Sequence, residues 1–267
     1  MNDERDYRAA PGVNYSNLKH MRKSAAHYRQ NLLAPPKDNP AWARGRLIHC
    51  LTLEPFSFDD DFFVYEGRRD KRTKAYQAAL EEAAGRDVVT PAEHELAVEV
   101  ARAATSHPTL AAMLAQDDAQ VERPLFWEEA PVGTCKGKPD VYVITEEKHI
   151  LLDLKTFPTT DEHTVARAAA VGGWHLQVAH YLAGLEATYG KPQSVEAHLL
   201  VAEVEAPFDV RCFTWGEASI EAAKVERADL LAQLARSLKT DDWPGRPAFG
   251  TLDLPAWYLN KHIPSEF

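Results

Sequence analysis

The chain has 267 residues, 45% of them hydrophobic and 9% aromatic, enough apolar material for one large core or two small ones. Its formal net charge of −10 excludes a protein that coats nucleic acid by bulk charge, while leaving room for a local basic groove or an acidic site neutralised by cations. Three scattered cysteines, Cys50, Cys135 and Cys212, form no CxxC pair, which excludes a zinc ribbon, a disulfide framework and a four-cysteine iron–sulfur cluster within one chain.

The opening stretch, MNDERDYRAAPG, is charged and lacks an apolar signal region, and no apolar run is long enough to span a bilayer; a cytoplasmic location without a membrane span is expected. Ser16 is a candidate cap for a helix from Asn17 to about Leu32, with Leu18, Met21, Ala25 and Tyr28 on one face. "LLAPPKDNP" breaks it, and a second helix is expected from near Pro40 to near Glu54, carrying Trp42, Leu47, Ile48 and Leu51. "GRRDKRTK" reads as a charged loop. From Lys74 to about Gln116 the pattern is helical, with Thr90, Pro91 and Glu93 spaced as a capping box.

The character changes at 121. "VERPLFWEE", "KPDVYVI" and "HILLDLKT" read as three consecutive strands joined by the turns "APVGTCKG" and "TEEK". An amphipathic helix over about 162 to 189, strands "VEAHLLVAEV" and "DVRCFTW", and a long helix over about 216 to 239 complete the pattern. The Pro/Gly-rich tail is expected to wrap the surface. The fold class is α/β, a mixed sheet flanked by helices, in a single domain: a mainly helical part over 1–116, a core over 117–240 and a tail over 241–267.

The chemistry concentrates in "ILLDLKT", a buried-strand pattern interrupted by Asp153 and Lys155, which share one face because strand side chains repeat every two residues. Adjacent antiparallel strands bring Asp140 to Asp153. Two carboxylates so close repel unless a divalent cation lies between them, and hard oxygen ligands suit Mg²⁺ or Mn²⁺. Lys155 is expected to hold a water or a phosphate oxygen. Taken alone, a DxK triplet is as often a surface ion pair, and a lone histidine such as His49 is usually an ordinary core or surface residue.

"GKPD…DLK" resembles the PD-(D/E)xK nuclease motif, and its surroundings resemble the RecE-type exodeoxyribonucleases related to exonuclease VIII. "ARGRLIHCLTLEP" resembles that branch's Gly-x-x-x-His segment (Gly45, His49), "DKRTK" its basic loop and "VERPLFW" the source of its acidic Glu122. "HLQVAHYL" matches the Gln-x-x-x-Tyr signature, giving Gln177 and Tyr181, and "WPG" and "LPAW" resemble the tail. The resemblance implies a PD-(D/E)xK (restriction endonuclease-like) core. It implies Mg²⁺ held by Asp140, Asp153, His49 and the Leu154 carbonyl, with Mn²⁺ able to substitute and Glu122 assisting. Lys155 would act in catalysis, and Gln177, Tyr181, Arg68, Arg69, Lys71, Arg72 and Lys74 would contact DNA. It further implies 5′ to 3′ digestion of double-stranded DNA from its ends, leaving 3′ overhangs for a single-strand annealing recombinase, by a homo-oligomer that is commonly a tetrameric ring. An endonuclease on the same core, and a non-catalytic DNA-binding or scaffold module, remain open alternatives.

Overall fold

The computed structural model describes residues 4–35 and 40–262, without the side chains of residues 4–6, 40 and 41. The N-terminal part contains α1 (Glu4–Ala9), α2 (Tyr15–Leu18), α3 (Ala25–Leu33), α4 (Pro40–Leu53), α5 (Phe58–Asp61), β1 (Phe62–Val64), α6 (Lys74–Ala83), β2 (Asp87–Val89), α7 (Pro91–Thr105) and α8 (Pro108–Leu114). The core follows with β3 (Gln120–Val121), β4 (Leu125–Glu129), β5 (Gly133–Gly137), β6 (Val141–Ile144), β7 (Lys148–Phe157), α9 (Glu162–Gly172), α10 (Trp174–Tyr189), β8 (Ser194–Glu203), β9 (Val210–Thr214) and α11 (Glu217–Thr240). A short α12 (Ala256–His262) ends it.

The central sheet has the order β3-β6-β7-β8-β9, with β7 and β8 parallel and the other pairs antiparallel. A parallel pair needs a long crossover, and α9 and α10 supply it. One face of the sheet, through Tyr142, Leu151 and Ala197, packs on α10 and α11 with Leu176, Leu185, Leu230 and Leu234. The other, through Val143, Leu152, Leu154 and Leu200, packs on α4, α7 and α8 with Ile48, Val100 and Leu110. Strand β7 is therefore buried on both faces, which is why its sequence is nearly continuously apolar. Truncating a fully buried leucine such as Leu154 to alanine would cost roughly 2–5 kcal/mol.

The Thr90 capping box forms as expected: Thr90 Oγ1 accepts from the Glu93 N–H at 3.2 Å, and Glu93 Oε2 accepts from the Thr90 N–H at 2.8 Å. Four other expectations need correction. The helix expected over 17–32 is two helices with a 3₁₀ turn between them, because Asn14, not Ser16, caps α2 and Ser24 starts α3 as a second cap. The expected break "LLAPPKDNP" falls partly outside the described residues. The helix expected over 162–189 divides at Gly173, whose φ of +74° reverses the chain. Strand β2, paired in parallel with β1, interrupts the region read as helical.

The fourth correction concerns "APVGTCKG", read as a turn. Its second half is strand β5, which pairs with β4 in a hairpin separate from the main sheet. Glycines at both ends gave it a turn's composition, yet Cys135 and Lys136 between them are buried. Gly137 is needed for contact, since a Cβ there would lie 2.9 Å from the Tyr181 ring. The tail wraps only at its start. Trp243 stacks on Tyr28 with ring centroids 6.0 Å apart, and the Pro244 carbonyl accepts from the Ala26 N–H. Farther on, Phe249 and Leu252 are more than nine-tenths exposed, at 94% and 91%.

Candidate active site

Asp140 immediately precedes β6, and the register Val141↔Leu152 sets it opposite Asp153 on β7. Its Oδ2 accepts a 2.6 Å hydrogen bond from the Leu154 N–H. The Asp140 carbonyl accepts from the Glu122 N–H at 2.9 Å, and Glu122 takes up a left-handed φ of +49° to make that bond. From the far side α4 brings His49, with Nδ1 3.7 Å from Asp140 Oδ2 and 3.9 Å from Glu122 Oε1. One ligand atom each from His49, Glu122 and Asp140 lie within 4.8 Å of one another.

Asp153 is fully buried, and its carboxylate faces the Lys155 ammonium, but neither oxygen makes a hydrogen bond with a described residue. A buried carboxylate without hydrogen bonds is costly. Burial raises the pKa of Asp153, with Lys155 opposing and Asp140 adding to the rise. Burial also raises Asp140, opposed by His49 and reinforced by Glu122. For His49 burial works against the imidazolium, but Asp140 and Glu122 prevail and its pKa is raised. Burial thus dominates both aspartates, while the neighbouring carboxylates raise His49. The donor set, two carboxylates and an imidazole with a buried carboxylate beside them, fits a divalent cation.

Gln177 and Tyr181 share one face of α10, as their spacing requires, and Gln177 Nε2 donates to the Tyr181 hydroxyl at 2.9 Å. Burial, then the charges of Asp153 and Asp140, push the Tyr181 phenol well above the ordinary range. Leu154 buries its side chain in the core and gives its N–H to Asp140.

The basic loop is not brought to this cluster. Arg72 is held by Asp70 through a 2.8 Å ion pair, Arg69 binds Glu93 and the Val88 carbonyl, and Lys74 opens α6. The cavity over the site, about 1070 Å³, draws its basic side chains from elsewhere: Arg8, Arg44, Arg46, Arg86, Lys138 and Lys155. Arg46 is tied to Asp87 at 2.7 Å, and Arg86 donates to three backbone carbonyls. Lys138 lies 2.8 Å from Glu122 Oε2 and 3.8 Å from Glu54 Oε2. Sequence reasoning missed Lys138 although it lies two residues before Asp140. It also missed Arg44 and Arg46, which flank the glycine of the Gly-x-x-x-His segment.

A family model described as a PDDEXK-like domain of unknown function (DUF3799) matches residues 14–250. The chain belongs to this family. The central mixed sheet flanked by helices is accordingly that of a PDDEXK-like, nuclease-type domain. Among solved structures, a protein from Eubacterium rectale to which exonuclease activity is attributed is similar over 99% of each chain, with TM-score 0.59 and 12% identity, a likeness of fold. The protein SSO0001 overlaps 58% of this chain and 68% of its own, with TM-score 0.32 and 16% identity, too slight a likeness to argue from. No curated protein matches the chain. Among the described residues, no helix of this PDDEXK-like chain is long and apolar enough to cross a membrane.

Proposed function

We propose that the protein is a divalent-metal-dependent exonuclease that digests duplex DNA from its ends. One observation carries this: the ligand atoms of His49, Glu122 and Asp140, within 4.8 Å of one another, stand beside the buried Asp153–Lys155 pair. Five acids and bases gathered beside strand β7 suit phosphodiester hydrolysis. His49, Glu122 and Asp140 would hold the cation, with Asp153 and the Leu154 carbonyl adjoining. A divalent cation there supplies Lewis-acid chemistry, lowering the pKa of water and polarising a phosphoryl oxygen.

The chain's own residues do the rest. Asp153 draws the Lys155 ammonium into a fixed position, from which it donates hydrogen bonds to the attacking water and to the phosphoryl oxygen that gains charge. Lys138 holds Glu122 by its second oxygen, leaving the first toward His49. Gln177 and Tyr181 orient the strand beside the acids.

Exonuclease activity attributed to the Eubacterium rectale protein supports digestion from an end. Resemblance to the RecE-type branch supports a 5′ to 3′ direction, 3′ overhangs passed to an annealing recombinase, Mg²⁺ with Mn²⁺ as substitute, and a homo-oligomeric ring in the cytoplasm. In that ring the loop carrying Arg68, Arg69, Lys71, Arg72 and Lys74 would meet DNA away from the scissile bond.

One plasmid, closed-circular and linearised, tests the reading. Expected with Mg²⁺ is steady release of acid-soluble nucleotides from the linear form, early loss of a 5′-end label, and an intact circle. Nicking of the circle would point to an endonuclease. Inactivity on both forms, with Mg²⁺ and Mn²⁺ each tried, would leave a DNA-binding scaffold.

A further inference from the structure

Lys136 is 3% exposed, an unusual place for an ammonium. Its three donors are matched by three acceptors. Nζ donates to the carbonyls of Tyr7 at 2.7 Å, Arg8 at 3.3 Å and Ala10 at 2.6 Å, at the C-terminal end of α1, where orphan carbonyls and the helix dipole favour a cation. The Tyr7 ring lies 4.8 Å from the same ammonium. Backbone bonds extend the seam: Val13 N–H donates to the Thr134 carbonyl, and Lys136 N–H donates to the Val13 carbonyl, each at 2.9 Å. Gly12, with a φ of +143°, lets the chain pass over the Lys136 stem, where a Cβ would lie 3.2 Å from Cγ.

The Lys136 carbonyl meanwhile accepts from His180 Nε2 at 3.1 Å, on the helix that presents Gln177 and Tyr181. One residue therefore ties the segment before α2 to the hairpin and to α10. The segment it holds carries Arg8 into the wall of the cavity over the site.

We infer that Lys136 is a positioning residue that fixes this wall so that Arg8 contacts a backbone phosphate of the bound DNA strand. The inference rests on the nuclease reading above. Lys136 itself is too buried to touch DNA, so any effect it has on DNA binding passes through the segment it holds.

The test measures binding of the intact protein to a short duplex by fluorescence anisotropy, with Ca²⁺ in place of Mg²⁺, over a series of KCl concentrations. Lys136→Met keeps the stem and removes the charge. The expected result is affinity ~10-fold weaker and a log–log salt slope shallower by about one, the signature of one lost phosphate contact. Arg8→Ala should reproduce both changes, and the double variant should be no worse than either. On linear duplex with Mg²⁺ the loss should fall on KM rather than kcat, and trypsin should cut after Arg8 faster in Lys136→Met. A wild-type salt slope in either single variant, or additive losses in the double, overturns the inference. If Lys136→Met does not fold, Arg8→Ala alone decides by its slope. Absence of turnover in a wild-type protein that still binds duplex defeats the nuclease reading but leaves the slope measurement decisive. Absence of duplex binding defeats both.

Discussion

Asp140 Oδ2 accepts a 2.6 Å hydrogen bond from the Leu154 N–H, so one of the two facing carboxylates is anchored to the backbone of the strand that carries the other. This bond pins one carboxylate while Lys155 balances the other.

Asp140→Asn should therefore fold, since an amide oxygen can accept the same bond and one of two repelling charges is gone. Cleavage should fall by at least ~10²–10³-fold, the scale of losing a preorganised electrostatic contact. Circular dichroism together with a nucleotide-release assay checks both parts. Full activity in a clean preparation would remove Asp140 from the site.

Lys155→Met leaves Asp153 buried and unpaired. Turnover should collapse while duplex binding in Ca²⁺ persists, because the ammonium serves the transition state. Stability in EDTA should also fall, by up to ~3–5 kcal/mol for a broken buried pair. The sign with pH follows from Asp153, whose folded pKa is raised. Such an acid destabilises the folded state as pH rises through that raised value. The deficit relative to wild type should accordingly be larger at pH 8 than at pH 6. Equal deficits at the two pH values would count against the pairing.

His180 is fully buried and neutral, donating from Nε2 to the Lys136 carbonyl and accepting at Nδ1 from Arg227 Nε at 3.2 Å. Burial, then Arg227, lowers its pKa to about 3. Because the folded value lies below the unfolded one, its contribution is present above pH ~6.5 and is lost as pH falls below that, with a limiting slope of ~1.4 kcal/mol per pH unit. His180→Gln should cost roughly 1–3 kcal/mol at pH 7.5. Urea denaturation should show that gap closing toward pH 5. A gap independent of pH would mean that His180 is not neutral in the folded state.

Gly137→Ala would put a Cβ 2.9 Å from the Tyr181 ring. Tyr181 and its partner Gln177 must shift, so KM for duplex should rise several-fold while the metal-binding residues stay in register. Manganese titration by electron paramagnetic resonance should give wild-type affinity. Weakened metal binding would indicate that the hairpin supports the acids as well.

The sequence made the acids legible because each sits at a place where its own strand pattern breaks: Asp153 and Lys155 within an apolar run, Asp140 at the end of a Pro-containing turn. His49 was legible only through the spacing around Gly45, since nothing in an apolar helix segment distinguishes a ligand from a core histidine. Strand β5 was not legible, because Gly137, needed for close contact with Tyr181, and Gly133, with its φ of +82°, look like turn glycines. The basic residues of the cavity were missed for a related reason. A run of charges is conspicuous in one dimension, whereas Arg8, Arg44 and Lys138 come together only when α4, the N-terminal segment and the approach to β6 converge. Burial of Lys136 was equally invisible, since its partners are backbone carbonyls more than a hundred residues away.

Glu122 keeps a left-handed backbone, a conformation that costs a non-glycine residue on the order of 1 kcal/mol. Glycine there would relax the chain and delete a carboxylate in one step. A directed-evolution campaign scored on heat resistance alone would thus favour discarding this side chain, yielding sturdier proteins that have forgotten their chemistry. Under the proposed reading, a glutamate kept here in spite of the strain is kept for its carboxylate.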